Sequence, residues 1–76
     1  METTLSQLPI KAHATITAHM SDGAIRQRLL DLGLIPQTKI EFVRKAPLGD
    51  PLEFRVGATS VVIRTTEADT VIVRLD

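Results

Sequence analysis

Short runs in which apolar and polar residues alternate, separated by turn-forming residues, constrain this chain more than any other feature. Successive side chains on a strand point to opposite faces, so a period of two marks a half-buried strand, whereas a helix needs 3.6. From His13 to His19, Ala14, Ile16 and Ala18 fall on one face and His13, Thr15, Thr17 and His19 on the other. Lys39 to Lys45 alternates around Ile40 and Phe42, and Leu52, Phe54 and Val56 alternate with Glu53 and Arg55. Gly57-Ala58-Thr59 makes a tight turn into Ser60 to Arg64, and Val71, Val73 and Leu75 share a face within Thr70 to Leu75. Glu67-Ala68-Asp69 reads as a single helical turn or a polar loop. Such closely spaced short strands predict a mainly β fold, a small five-stranded barrel. In so small a chain, an open sheet would leave long unpaired edges.

One stretch departs from the period of two and predicts a single inserted α-helix. Ser21 suits the N-cap, Asp22 suits the positive end of the helix dipole, and Met20 is spaced to pack on Ile25 as a hydrophobic staple. Ile25, Leu29 and Leu32 follow the spacing of one buried face, leaving Arg26, Gln27, Arg28 and Asp31 to solvent. Gly33 ends the helix after about eleven residues. It stands where a left-handed residue makes Leu34 the partner of Leu29 in a Schellman cap, and Pro36 prevents continuation.

Composition narrows function further. The 76 residues fit one domain, 1–76, with a small core. Nine basic and nine acidic residues cancel, and the two Phe fall in phase with core aliphatics. Neither the basic field nor the stacking rings that nucleic-acid binding needs is present. The absence of cysteine removes disulfides, thiolate metal sites and cysteine nucleophiles, and suits the cytosol. The longest apolar run, Val61-Val62-Ile63, is far short of a membrane span, and Leu5 to Ile10 is too short and polar for a signal-peptide core. A soluble, cytoplasmic chain is expected, meeting a membrane only through a partner.

No Ser or Thr has a histidine and a carboxylate at recognisable spacing, and Gly23 stands alone rather than in a phosphate-binding loop. An enzyme is not expected. His13 and His19 are the weak candidates for metal. By strand parity they share a face, but six residues separate them by about 20 Å, too far for one ion on a straight strand. Two solvated histidines are the simpler reading.

What remains is a surface. Arg44-Lys45-Ala46-Pro47-Leu48-Gly49-Asp50-Pro51-Leu52 joins two strands through a stiff turn. Pro47 and Pro51 fix φ and restrict the residues before them, while Gly49 can supply φ > 0. Leu48 is therefore presented at low entropic cost. Pro47, Leu48, Gly49 and Asp50, flanked by Arg44, are the candidate contact residues, with Leu34 at the helix exit and Arg28 and Arg64 beyond them. The competing reading folds Leu48 back as a plug over the barrel mouth. Arg64 is also spaced to pair with Glu67, and Arg44 stands beside the stiff loop as its best-placed arginine.

Two stretches carry a resemblance. Arg28-Leu29-Leu30-Asp31-Leu32-Gly33-Leu34-Ile35-Pro36 resembles a helix-exit signature, and Ala46-Pro47-Leu48-Gly49-Asp50-Pro51 resembles the loop of the FeoA family. Val61-Val62-Ile63-Arg64 followed by Glu67-Ala68 is similar to a third part of that pattern. The resemblance implies an SH3-like barrel with an inserted helix. It further implies an accessory role in bacterial ferrous-iron uptake with FeoB, a membrane transporter bearing a cytoplasmic GTPase domain. Two departures stand out: Pro36-Gln37 where the family often has Pro-Gly, and Pro9-Ile10-Lys11 in place of a glycine-containing turn. A transition-metal protein that senses or delivers Fe²⁺ through the histidines, and a self-associating structural protein, are the alternatives.

Overall fold

The computed structural model describes residues 1–76. Strands β1 (Glu2–Thr4), β2 (His13–His19), β3 (Lys39–Lys45), β4 (Leu52–Val56), β5 (Thr59–Ile63) and β6 (Val71–Leu75) form one antiparallel sheet in the order β1-β6-β2-β3-β4-β5. A 3₁₀ turn covers Leu5–Gln7, helix α1 covers Gly23–Asp31, and a short helix α2 covers Thr65–Ala68. The sheet curls around Ile16, Ile40, Phe42, Leu52, Phe54, Ile63, Val71 and Val73, all essentially inaccessible to solvent. At its centre Phe42 and Phe54 face each other across β3 and β4, ring centroids 4.8 Å apart and tilted by 31°. The mainly β class with one substantial inserted helix is as the alternation implies.

The expected strands are all present, and β1 is a sixth. Its register on β6 (Glu2↔Arg74, Thr3↔Val73) and a bond from the Leu75 N–H to the Met1 carbonyl lay the two chain ends side by side. Glu2-Thr3-Thr4 has no apolar alternation, so nothing in its pattern marks it as a strand.

Two β-bulges alter the expected faces. The β2–β6 register shifts between Ile16 and Ala18, making Thr17 the extra residue. Beyond it the alternation inverts: Ala18 is exposed, and His19 turns inward so that its Nε2 meets the Leu34 carbonyl. The expectation that His13 and His19 share a face fails for this reason. The second bulge lies between Phe42 and Arg44, at Val43, and sets Arg44 opposite Glu53.

Helix α1 ends as its sequence requires. The Leu34 N–H donates to the Leu29 carbonyl (3.1 Å) and the Gly33 N–H to the Leu30 carbonyl (3.0 Å), the Schellman pair, with Gly33 at φ 98°. Leu29 and Leu34 are both fully buried. The start of α1 differs from expectation. Asp22 rather than Ser21 is the N-cap, and positions 22–28 are exposed throughout. Ile25 (49% accessible) and Met20 (64%) therefore form no buried staple, because only the last turn of the helix reaches the sheet.

Candidate functional site

The β3–β4 connection is built as a tight turn on a short stalk. Ala46 N–H donates to the Pro51 carbonyl (3.0 Å), continuing the ladder, and Gly49 N–H donates to the Ala46 carbonyl (2.8 Å). The second bond closes a β-turn with Pro47 at its first central position, where a fixed φ suits it. Gly49 at φ 91° turns the chain back, and the Asp50–Pro51 peptide bond is cis. Leu48 stands at the tip with 98% of its surface accessible. The plug reading is thereby excluded: the core under the loop is closed by Leu52 and Ile63, and Leu48 covers none of it.

The loop is anchored from the side by the start of α2. One Asp50 carboxylate oxygen accepts the Thr65 backbone N–H (2.7 Å) and the Thr65 hydroxyl (2.9 Å). That backbone bond, then the hydroxyl, hold the Asp50 carboxyl below its usual range against an opposing desolvation, with a lesser lowering from the Arg64 charge. Thr65 was not singled out in the sequence. Its only local signal is a hydroxyl residue opening a helical turn, and its partner lies 15 positions earlier.

Behind the anchor lies an ion pair that sequence separation hides. Arg28 on α1 bonds the Glu67 carboxylate on α2, across 39 positions. The other Glu67 oxygen accepts the Arg64 backbone N–H (3.0 Å). Partial burial opposes ionisation of Glu67, but these bonds and the two guanidinium charges outweigh it and leave its pKa lowered. The expected Arg64–Glu67 side-chain pair is thus replaced: Glu67 takes the Arg28 guanidinium and only the backbone of Arg64.

Arg28, Asp50, Pro51, Val62, Ile63 and Arg64 line a shallow cleft of about 320 Å³ beside the loop. Val62 is half exposed within it. Pro51, Val62 and Ile63 meet two guanidinium groups and the Asp50 carboxylate there, beside the loop that carries Leu48. Leu34, named from the sequence as a contact, is fully buried and serves the helix cap instead. Arg44 is held by Glu53, Nε to carboxylate 3.0 Å, although 72% of its side chain remains accessible.

The histidines are not brought together. His13 is exposed beside Lys39, Glu41 and Arg55, while His19 is partly buried under the helix exit with its Nδ1 unpartnered. No three His, Asp or Glu groups converge on a point that could hold a metal ion. No helix is long and apolar enough to cross a membrane.

A small, curled antiparallel sheet carrying one capped helix and an apolar-tipped hairpin defines an SH3-like domain. The family model described as the FeoA domain matches residues 3–75, and the chain belongs to the FeoA family, whose members are small accessory domains of ferrous-iron transport. The solution structure of FeoA from Chlorobium tepidum is 36% identical, with a TM-score of 0.90 over 96% of this chain and 70% of that one. FeoA from Stenotrophomonas maltophilia, solved with zinc and described as an SH3 domain protein, is 33% identical, with a TM-score of 0.79 over 97% of this chain and 89% of that one. T. acidophilum IdeR shares the fold alone: 24% identity and a TM-score of 0.87, this chain spanning 34% of its length.

Proposed function

We propose that this chain is a non-enzymatic cytosolic protein that docks on the cytoplasmic, GTPase-bearing part of a FeoB-type ferrous-iron transporter. The observation that carries the reading is Leu48, 98% accessible yet held by a proline-braced turn and the Asp50–Thr65 clip. An exposed leucine on a mobile loop would lose entropy on binding; this one has already lost it, which is the advantage of a preorganised contact. Pro47 and Leu48 form the apolar contact. Gly49 and Asp50 fix its geometry, and Arg28 and Arg64 offer charge to acidic groups of the partner. Arg44, tied to Glu53, serves the loop base rather than reaching for a nucleotide. Docking then acts by population shift: the transporter conformation that receives this surface better becomes more populated. Ferrous iron is the transported cargo in this reading and not a ligand of the chain.

The test is calorimetric titration of the chain into the isolated cytoplasmic part of its cognate transporter, with and without a GTP analogue. Binding that Leu48→Asp removes, at an unchanged melting temperature, is the expected result. Binding that survives Leu48→Asp would move the contact elsewhere on the surface, and no binding in either nucleotide state would overturn the reading.

A further inference from the structure

The sheet has two free edges, β1 and β5, and they are guarded unequally. β1 is three residues long and carries Glu2. β5, Thr59-Ser60-Val61-Val62-Ile63, has no charge, no proline and no bulge, the usual protections of an edge. The Gly57–Ala58 turn fixes the phase of its hydrogen bonds. A two-residue hairpin closes on a bonded pair, here Val56↔Thr59, so Phe54↔Val61 and Leu52↔Ile63 are bonded and the pairs between them are not. The backbone N–H and C=O of Ser60 and Val62 therefore point away from β4, and neither residue takes part in the loop, turn and cap bonds elsewhere in the fold. Both side chains face outward, and Val62 is 50% accessible.

We propose that β5 pairs with β5 of a second copy of this chain, antiparallel about a two-fold axis through Val61. In that register Ser60 lies opposite Val62 of the other copy and Val62 opposite its Ser60. Both residues of each pair have their backbone groups facing the partner, so each pair exchanges both its N–H···O bonds. β5 brings no like charges together: in each outward row Glu53 of one copy and Arg55 of the other stand three strand spacings apart, about 14 Å, so neither sign opposes the pairing. The two Leu48 tips point in opposite directions along the strands, because the loop follows the Ile63 end of β5 in each copy. Pairing leaves both Leu48 tips free, while Val62, which lines the cleft beside each loop, becomes part of the seam.

Sedimentation equilibrium across concentration tests this. The expected mass rises toward twice that of the 8.3 kDa chain, and Val62→Lys shifts the midpoint upward at least about tenfold. Register is read by mixing single-cysteine variants, since the chain has no cysteine of its own. Ser60→Cys with Val62→Cys should cross-link, the Cα atoms being about 5.5 Å apart, whereas Ser60→Cys alone should not, at about 8 to 9 Å. A chain monomeric up to about 1 mM overturns the proposal. So does a dimer that Val62→Lys leaves intact, or cross-linking of Ser60→Cys alone as fast as of the mixture.

Discussion

Lys11 and Gln37 hold backbone conformations that glycine holds at lower cost, φ 73° and φ 77°. Each is the second central residue of a type II turn: Ala12 N–H donates to the Pro9 carbonyl (3.0 Å), and Thr38 N–H to the Ile35 carbonyl (3.1 Å). These are the two places where the resemblance implies a glycine, and here Lys11 and Gln37 take the positive φ themselves. A side chain at positive φ costs on the order of 1 kcal/mol, part of which glycine returns through the entropy of the unfolded chain. Gln37→Gly should therefore raise stability by about 0.5 to 1 kcal/mol, read as a higher urea midpoint at unchanged m-value. Asp50 gives a second prediction. Its pKa is lowered on folding, so the stability it contributes is fully present above the unfolded carboxylate pKa of about 4 and is lost as pH falls through the lower folded value. The Thr65 amide should lose hydrogen-exchange protection over that acid range, and Asp50→Asn should lose much of it already at pH 7.

Among the elements, the β3–β4 hairpin separates folding from function most cleanly. Phe54 is fully buried against Phe42, and Phe54→Ala should cost about 3 to 5 kcal/mol, seen directly in denaturant melts. Leu48→Asp, a few residues away in sequence, should leave the melt unchanged. The hairpin also shows which parts of the fold the sequence makes legible. Its strands and turn were readable because their cues are local: alternation, Pro47, and Gly49. The Schellman end of α1 was readable for the same reason. The bulges at Thr17 and Val43 were not, since each is a good strand former sitting where alternation allows it. Yet one re-aims His19 and the other creates the Arg44–Glu53 pair. The start of α1 differs because spacing reports which residues share a face and not which turns are covered, and Ile25 lies on the exposed turns before Leu29. At the candidate site, Leu48 was visible, but Thr65 and Glu67 depend on contacts from distant positions that no spacing rule encodes.

At the scale of the whole molecule, the Arg28–Glu67 pair joins α1 to α2 and closes the cleft beside the loop. Half of the Arg28 side chain is exposed, so the pair is screened and worth at most about 1 kcal/mol to stability. Arg28→Ala should lower stability by less than that while weakening docking more, and the docking loss should shrink at high salt. Measuring both on one protein distinguishes a guanidinium that holds the fold from one that meets a partner. The adjacency of the first and last residues across β1 and β6 has a different consequence. A chain whose ends meet can be joined there by a few glycines and reopened at another turn, as circular permutants are. The Gly57–Ala58 turn, exposed and far along the strands from Leu48, is the natural place for the new ends. The same adjacency would let the domain be spliced into a surface loop of another polypeptide, entering and leaving at one point, with its leucine tip still turned outward.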